Sequence, residues 1–150
     1  MKYADPLGLK VRICCRPSVG KFDHCYIEEQ RDGSRRTWGL HNKNETGAIL
    51  YLDEPNPDTQ LRREDPSDKG GTCESWREDC DGDLGKCLQK NFEKYPVEGY
   101  SEVSANLGGP FSGRNSNTFV KCLTKKCGLS AGPRVTGQAP GYNQPCRSGF

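Results

Sequence analysis

The side chains best suited to covalent catalysis are Ser116 and the chain's only two histidines, His24 and His41. A hydroxyl at the N-terminus of a helix has its anionic form stabilised by the helix dipole, and backbone N–H groups there can bind an oxyanion. A neighbouring histidine can accept the hydroxyl proton, and a second polar group can hold the imidazole in orientation. We therefore interpret Ser116 as a candidate nucleophile, His24 as its base and His41 as the orienting group.

A β-hairpin is predicted to carry both histidines. Asp32-Gly33 is a two-residue turn signal between DHCYIEEQ (23–30) and RRTWGLHN (35–42). If these two residues form the loop, Arg31 pairs with Ser34, and the register of the whole hairpin follows.

This register gives the hairpin one apolar and one polar face. Ile27 faces Trp38 on the apolar side, whereas His24 faces His41 on the polar side. Each histidine could equally be a structural residue of its strand. The polar face also carries two residues that could support the histidines or replace His41 as orienter, Tyr26 and Glu28.

A later helix is predicted to present the nucleophile. Residues 118–126, TFVKCLTKK, follow a loop over 108–117 and precede Cys127-Gly128, a typical helix end. Asn115 and Ser116 then stand at the helix start, with Asn115 as a supporting residue. The structural alternative is that Ser116 or Asn117 only caps the helix.

The string Asn115-Ser116-Asn117-Thr118-Phe119-Val120 resembles the Asn-Cys-x-x-Phe-Val nucleophile motif of the circularly permuted papain-like superfamily. That superfamily includes relatives of NlpC-type peptidases and lecithin:retinol acyltransferase. The resemblance implies a histidine on an early strand, a polar residue on the next strand and a nucleophile at a later helix. The usual thiol is replaced by Ser116, so three explanations stay open: a natural serine enzyme, an introduced Cys→Ser change, or an inactive site.

The N-terminal string KYADPLGL resembles the end of the core of bacterial Rhs repeat-associated polymorphic toxins, through Tyr3, Asp5, Pro6, Gly8 and Leu9. The resemblance implies that residues 1–9 are a remnant of the core junction and that residues 10–150 are the toxin domain. It also implies a type VI secretion effector of interbacterial competition, with two partners: the Rhs shell and a cognate immunity protein. An ordinary Asp-Pro-x-Gly turn is the alternative.

Composition and patterning predict an α+β domain in which a small antiparallel sheet packs on a few helices, with many loops. Hydrophobic residues make up 32% of the chain, with 18 Gly and 10 Pro. Residues 10–16 alternate as a strand, and 73–95 suggest a helix in two pieces. Residues 43–71 read as a long excursion with a strand only at 48–52, and 62–69 as a solvated loop.

Nine cysteines lack paired C-x-x-C spacing, which favours disulfides over structural zinc. Disulfides favour an exported protein, and here a periplasmic site of action after delivery into a target bacterium. The odd number leaves at least one cysteine without an intrachain partner, and the sequence does not give the connectivity. Cys25 is predicted on the apolar face, and Cys122 and Cys127 lie beyond the helix start, so none of these three is our nucleophile.

Charge and hydropathy give no support for a nucleic-acid-binding protein or a membrane protein. A net charge of +2 from scattered residues gives no footprint for nucleic acid. No stretch approaches the roughly 18 apolar residues of a membrane span, and residues 1–30 lack the apolar centre of a signal peptide. No cofactor or metal is expected, and the carboxylates of Asp79–Asp83 lack the glycine and glutamate of a calcium loop. The alternatives are a metal-dependent nuclease using His24, His41 and carboxylates, and a non-enzymatic binding or pore-forming tip; no residues support ADP-ribosyl transfer.

Overall fold

A computed structural model of the chain describes residues 8–17, 23–42, 59–96, 116–129, 146 and 149–150. These form an α+β domain with one antiparallel sheet of order β4-β3-β2-β1-β5, in which β6 also pairs with β1. The strands are β1 (Lys10–Pro17), β2 (Asp23–Arg31), β3 (Ser34–Asn42), β4 (Thr59–Arg63), β5 (Thr72–Cys73) and β6 (Arg77–Glu78). The helices are α1 (Asp83–Lys94) and α2 (Ser116–Lys126).

The predicted hairpin and its register are confirmed. Asp32 and Gly33 both have positive φ, of 50° and 76°, as a two-residue turn between twisted strands requires. Pairing runs from Arg31 opposite Ser34 to Ile27 opposite Trp38. The predicted strand over 10–16 is also present, as β1, and it pairs with β2.

The apolar face of the sheet forms the core together with both helices. Val11, Ile13, Ile27 and Trp38 are buried in one cluster with Leu88 and Phe92 of α1 and Phe119, Val120 and Leu123 of α2. Phe119 meets the ring of Phe92 edge-on at 6.1 Å between centroids. The helices therefore cover one face of the sheet and leave the polar face to other elements.

The predicted excursion over residues 43–71 is wrong at Thr59–Arg63, because β4 pairs there with β3, with Leu61 opposite Leu40. The solvated loop predicted over 62–69 is correct for four exposed residues and wrong for the other four. Asp65 and Asp68 are buried. Each carboxylate is compensated inside the fold, Asp65 by Arg62 and Asp68 by Arg16. The strand predicted over 48–52 lies outside the described residues.

The predicted two-piece helix over 73–95 is helical only at Asp83–Lys94. The first part forms β5 and β6 instead, because β1 offers them backbone partners. The carboxylates that resembled a calcium loop cap α1, since Asp79 accepts hydrogen bonds from the backbone N–H groups of Leu84 and Gly85. The later helix begins at Ser116, two residues before the predicted start.

Four disulfides are present, joining Cys14 to Cys73, Cys15 to Cys25, Cys87 to Cys127 and Cys122 to Cys146. They confirm the expectation of a disulfide-rich domain, and Cys80 is the exposed cysteine outside them. Cys25, Cys122 and Cys127 are therefore oxidised and are not nucleophiles. None of the described helices is long and apolar enough to cross a membrane.

Replacing Gly71 by alanine should destabilise the domain far more than replacing its neighbour Gly70. Both residues have positive φ, 81° and 71°, so a side chain costs about 1 kcal/mol at either. A Cβ at Gly71 would also lie 2.1 Å from the carbonyl oxygen of Cys15, whereas a Cβ at Gly70 meets nothing within 4 Å. We expect Gly71→Ala to lower the free energy of unfolding by more than about 3 kcal/mol in urea titrations. Equal losses for both variants would contradict this packing.

Candidate active site

The two histidines lie together on the polar face and share one carboxylate. The ring centroids of His24 and His41 are 4.4 Å apart. Asp68, from the segment that follows β4, lies between them, with Oδ1 3.0 Å from His24 Nε2 and Oδ2 2.8 Å from His41 Nε2. All three side chains are buried. The register thus places the histidines as predicted, and the structure adds a carboxylate that the sequence analysis missed.

Basic side chains hold Asp68 in this position. Nε of Arg16 lies 3.3 Å from Asp68 Oδ1, and another Arg16 nitrogen donates to Ser67 Oγ at 3.2 Å. The guanidinium of Arg35 donates to the backbone carbonyl of Asp68. Anchored through both side chain and backbone, the carboxylate is fixed relative to the strands.

The ionisation states of Asp68 and His24 follow from their burial and from the contacts between them. Burial alone would raise the pKa of Asp68, but its contacts with His24 and His41 outweigh that effect and hold the pKa well below its usual value. Burial lowers the pKa of His24, and the nearby Asp68 only partly opposes this. At neutral pH the site therefore holds an ionised Asp68 beside a neutral His24 whose ring can accept a proton.

The contact of His24 with Asp68 is close but poorly aligned. His24 Nε2 is buried and makes no hydrogen bond within the described part of the chain, despite the 3.0 Å distance to Asp68 Oδ1. His41 Nε2, by contrast, is within hydrogen-bonding geometry of Asp68 Oδ2. A buried ring nitrogen in this state is available to another partner.

Asn117 fixes the start of α2 against the strand that carries His24. The pairing of β2 with β3 ends at Ile27. Beyond that point the backbone N–H of Cys25 donates to Asn117 Oδ1 at 2.8 Å, and Asn117 Nδ2 donates to the carbonyl of Asp23 at 2.9 Å. By strand alternation both backbone groups point towards β3, so the Asn117 amide takes the place of a missing strand partner.

This arrangement determines the position of Ser116. Ser116 is 2% exposed and begins α2, and its Oγ lies 3.4 Å from Asn117 Oδ1. The residue next to Ser116 is thus bonded to both chain neighbours of His24. The candidate nucleophile and the candidate base therefore belong to two elements that are locked together.

The supporting residues have structural contacts. Tyr26 Oη donates to the carbonyl of Gly70 at 2.9 Å, and the Glu28 carboxylate accepts hydrogen bonds from Arg12 and Arg35. Both side chains thereby help to hold the Asp68 segment on the polar face. Asn115 lies outside the described residues.

Gly39 provides the space for this cluster. A Cβ at position 39 would lie 2.7 Å from Asp68 Oδ2 and 2.8 Å from His41 Nε2. The one glycine within an otherwise bulky strand was a signal of close approach that sequence reasoning could have used. The signal for Asp68 was weaker, because it lies within a run of charges that is typical of exposed loops.

An open cleft of about 570 Å³ lies elsewhere, between the hairpin and α1. Five basic and three acidic residues line it, and two of the pairs are close, with Arg63 3.4 Å from Glu29 and Arg36 3.4 Å from Glu64. The described residues that line it include no histidine, serine or cysteine. The buried histidine cluster is therefore the stronger candidate site.

Comparison of the chain with models of protein families, with curated proteins and with solved structures gave no significant match. The Rhs and permuted papain-like relationships thus remain predictions from short motifs.

Asn117→Ala should cost much more stability than Asn91→Ala. The first change leaves a buried N–H and a buried carbonyl of β2 without their partner, at about 2–4 kcal/mol in total. Asn91 is a half-buried residue of α1 whose amide donates to the carbonyl of Cys87, so its loss should cost about 1 kcal/mol. Chemical denaturation of both variants measures the difference. Similar losses would show that the Asn117 bridge is not the main link between α2 and β2.

His24 should make the domain less stable in weak acid. Its lowered pKa means that the unfolded chain binds a proton more readily than the folded one. Its stabilising contribution is present above the unfolded pKa of about 6.5 and is lost as pH falls, by at most about 1.4 kcal/mol per unit. The free energy of unfolding should fall between pH 7.5 and pH 5.5 in the natural chain, and it should fall less in His24→Gln. Parallel losses would exclude His24 as the source.

Proposed function

We propose that this chain is an antibacterial effector domain that hydrolyses or transfers an acyl group through a covalent intermediate on Ser116. His24 is the general base, the ionised Asp68 beside it stabilises the imidazolium, and His41 orients Asp68 from the other side. The observation that carries the proposal is that the buried Asp68 carboxylate lies between the two histidines, while Asn117 joins the strand of His24 to the start of α2.

The chemistry uses only groups of this chain. His24 accepts the proton of Ser116 Oγ as that oxygen attacks the substrate carbonyl, and ionised Asp68 stabilises the imidazolium that forms. N–H groups of the first turn of α2 stabilise the oxyanion. His24 then returns the proton to the leaving amine or alcohol, which departs and leaves an ester on Ser116. Water or another acceptor resolves this ester with His24 again as base.

The expected substrate is an amide or ester of a competing bacterium: a peptidoglycan peptide, a lipid or a protein. Four disulfides support action in an oxidising compartment, and therefore in the periplasm. The Rhs-like string supports delivery by a parent shell and inhibition by an immunity protein in the producing cell.

A metal-dependent hydrolase, such as a nuclease, is the second candidate. The observation in its favour is that one donor atom from each of His24, His41 and Asp68 lies within 4.8 Å of the others. In that mechanism Ser116 would be dispensable and a chelator would abolish activity, which separates the two candidates.

The test of the covalent mechanism is labelling by a fluorophosphonate probe, followed by intact-mass and peptide analysis. We expect one adduct on Ser116 in the natural chain, none in Ser116→Ala, and full labelling in Ser75→Ala, which changes an exposed serine. Asp68→Asn should slow labelling by at least tenfold or so, whereas Asp32→Asn at the exposed turn should not.

The same variants should be expressed in the periplasm and cytoplasm of a susceptible bacterium. Ser116→Ala should lose toxicity in the periplasm, and a toxic Ser116→Cys would show that a thiol serves in the same place. Full toxicity of a folded Ser116→Ala variant would refute the covalent mechanism.

A further inference from the structure

His24, His41 and Asp68 form a convergent set of donors in a buried position. Their burial leaves Asp68 fully inaccessible and each histidine less than a tenth exposed. His24 Nε2 is within 3.0 Å of the carboxylate, yet it has no hydrogen bond within the described residues. A ring nitrogen that converges on a neighbouring ligand without bonding to it is what a metal ion between the two would satisfy.

The donor set favours zinc, or another transition-metal ion, over magnesium and calcium. Two imidazoles and one carboxylate are a usual zinc triad, whereas magnesium and calcium prefer oxygen ligands alone. Zinc bonds of about 2.0–2.1 Å place tetrahedral donors about 3.3 Å apart. The two histidine nitrogens lie 3.0 and 2.8 Å from the two carboxylate oxygens, and one donor atom from each of the three residues lies within 4.8 Å of the others. The donors would therefore move by up to roughly 1.5 Å to hold the ion.

We propose that His24, His41 and Asp68 bind a zinc ion that inhibits the enzyme. This inference rests on the proposed covalent function, because a neutral His24 that binds zinc through Nε2 must carry its ring proton on Nδ1. Neither ring nitrogen is then free to accept the Ser116 proton. Zinc also neutralises the Asp68 charge that stabilises the imidazolium. The same three side chains can therefore either support proton transfer or bind zinc, but not both at once.

Arg16 affects zinc binding in two opposite ways. Arg16, 3.3 Å from Asp68 Oδ1, opposes a second cation in the same place. Its hydrogen bond to the carboxylate at the same time holds that ligand in orientation, as partners of metal ligands commonly do. Occupancy should therefore depend on the zinc concentration around the protein.

Zinc binding is measured by equilibrium dialysis and by competition with a fluorescent zinc chelator on the oxidised full chain. Cys80→Ser is the background throughout, because Cys80 is the exposed cysteine outside the disulfides. We expect one ion per chain in this background and in Ser116→Ala, which keeps all three ligands. His41→Gln and Asp68→Asn should each weaken binding at least tenfold, and Asp32→Asn should not. Two ligand variants are used so that a melting curve can exclude one that fails to fold.

The effect on chemistry is measured with the fluorophosphonate probe. Zinc should slow labelling of Ser116 at least tenfold at saturation, EDTA should restore the rate, and magnesium should have no effect. If the chain binds no zinc, or if both ligand variants bind zinc unchanged, this inference is overturned. Labelling of Ser116 by the probe would in that case leave the proposed function intact. Zinc binding with no labelling, together with toxicity that a chelator removes, overturns both and establishes the metal-dependent candidate.

Discussion

The carboxylate of Asp68 is completely buried, and side chains of the neighbouring strands compensate its charge. An unpaired carboxylate in a protein interior would be neutralised by protonation, yet the pKa of Asp68 lies below its usual value. The contacts of His24 on β2 and His41 on β3 lower this pKa against the effect of burial, and Arg16 on β1 adds an ion pair. The absence of a side chain at Gly39 leaves room for the charge.

The segment that carries Asp68 is held at both ends. Before it, β4 pairs with β3, and after it the disulfide from Cys14 to Cys73 joins β5 to β1. Gly71 passes so close to the Cys15 carbonyl that no other residue fits there. A segment without regular structure can therefore present a carboxylate as firmly as a strand would. Such support is what a preorganised site requires, because displacement of a catalytic group by about 1 Å is costly.

Local patterns predicted strands β1, β2 and β3 but missed β4, β5 and β6, and they predicted the site only in part. The Asp32-Gly33 turn fixed the register of β2 and β3, and so placed His24 beside His41, because a two-residue turn leaves strand pairing no freedom. The start of α2 was predicted within two residues from its own capping signals. Asp68 could not be found this way, since its burial depends on Arg16, 52 positions away in sequence. The bridge from Asn117 to β2 likewise joins residues 92 and 94 positions apart.

The disulfides connect the chemistry of the site to the redox state of its surroundings. Cys15–Cys25 crosses from β1 to the residue next to His24, and Cys14–Cys73 anchors the segment next to Asp68. Both bonds begin at adjacent residues of β1, so one strand secures the segments of His24 and Asp68 together. Cys87–Cys127 joins the end of α2 to α1 and stabilises the helix that begins at Ser116. In a reducing compartment each of these segments would lose a covalent constraint, whereas an oxidising one preserves the geometry of the histidine–carboxylate cluster.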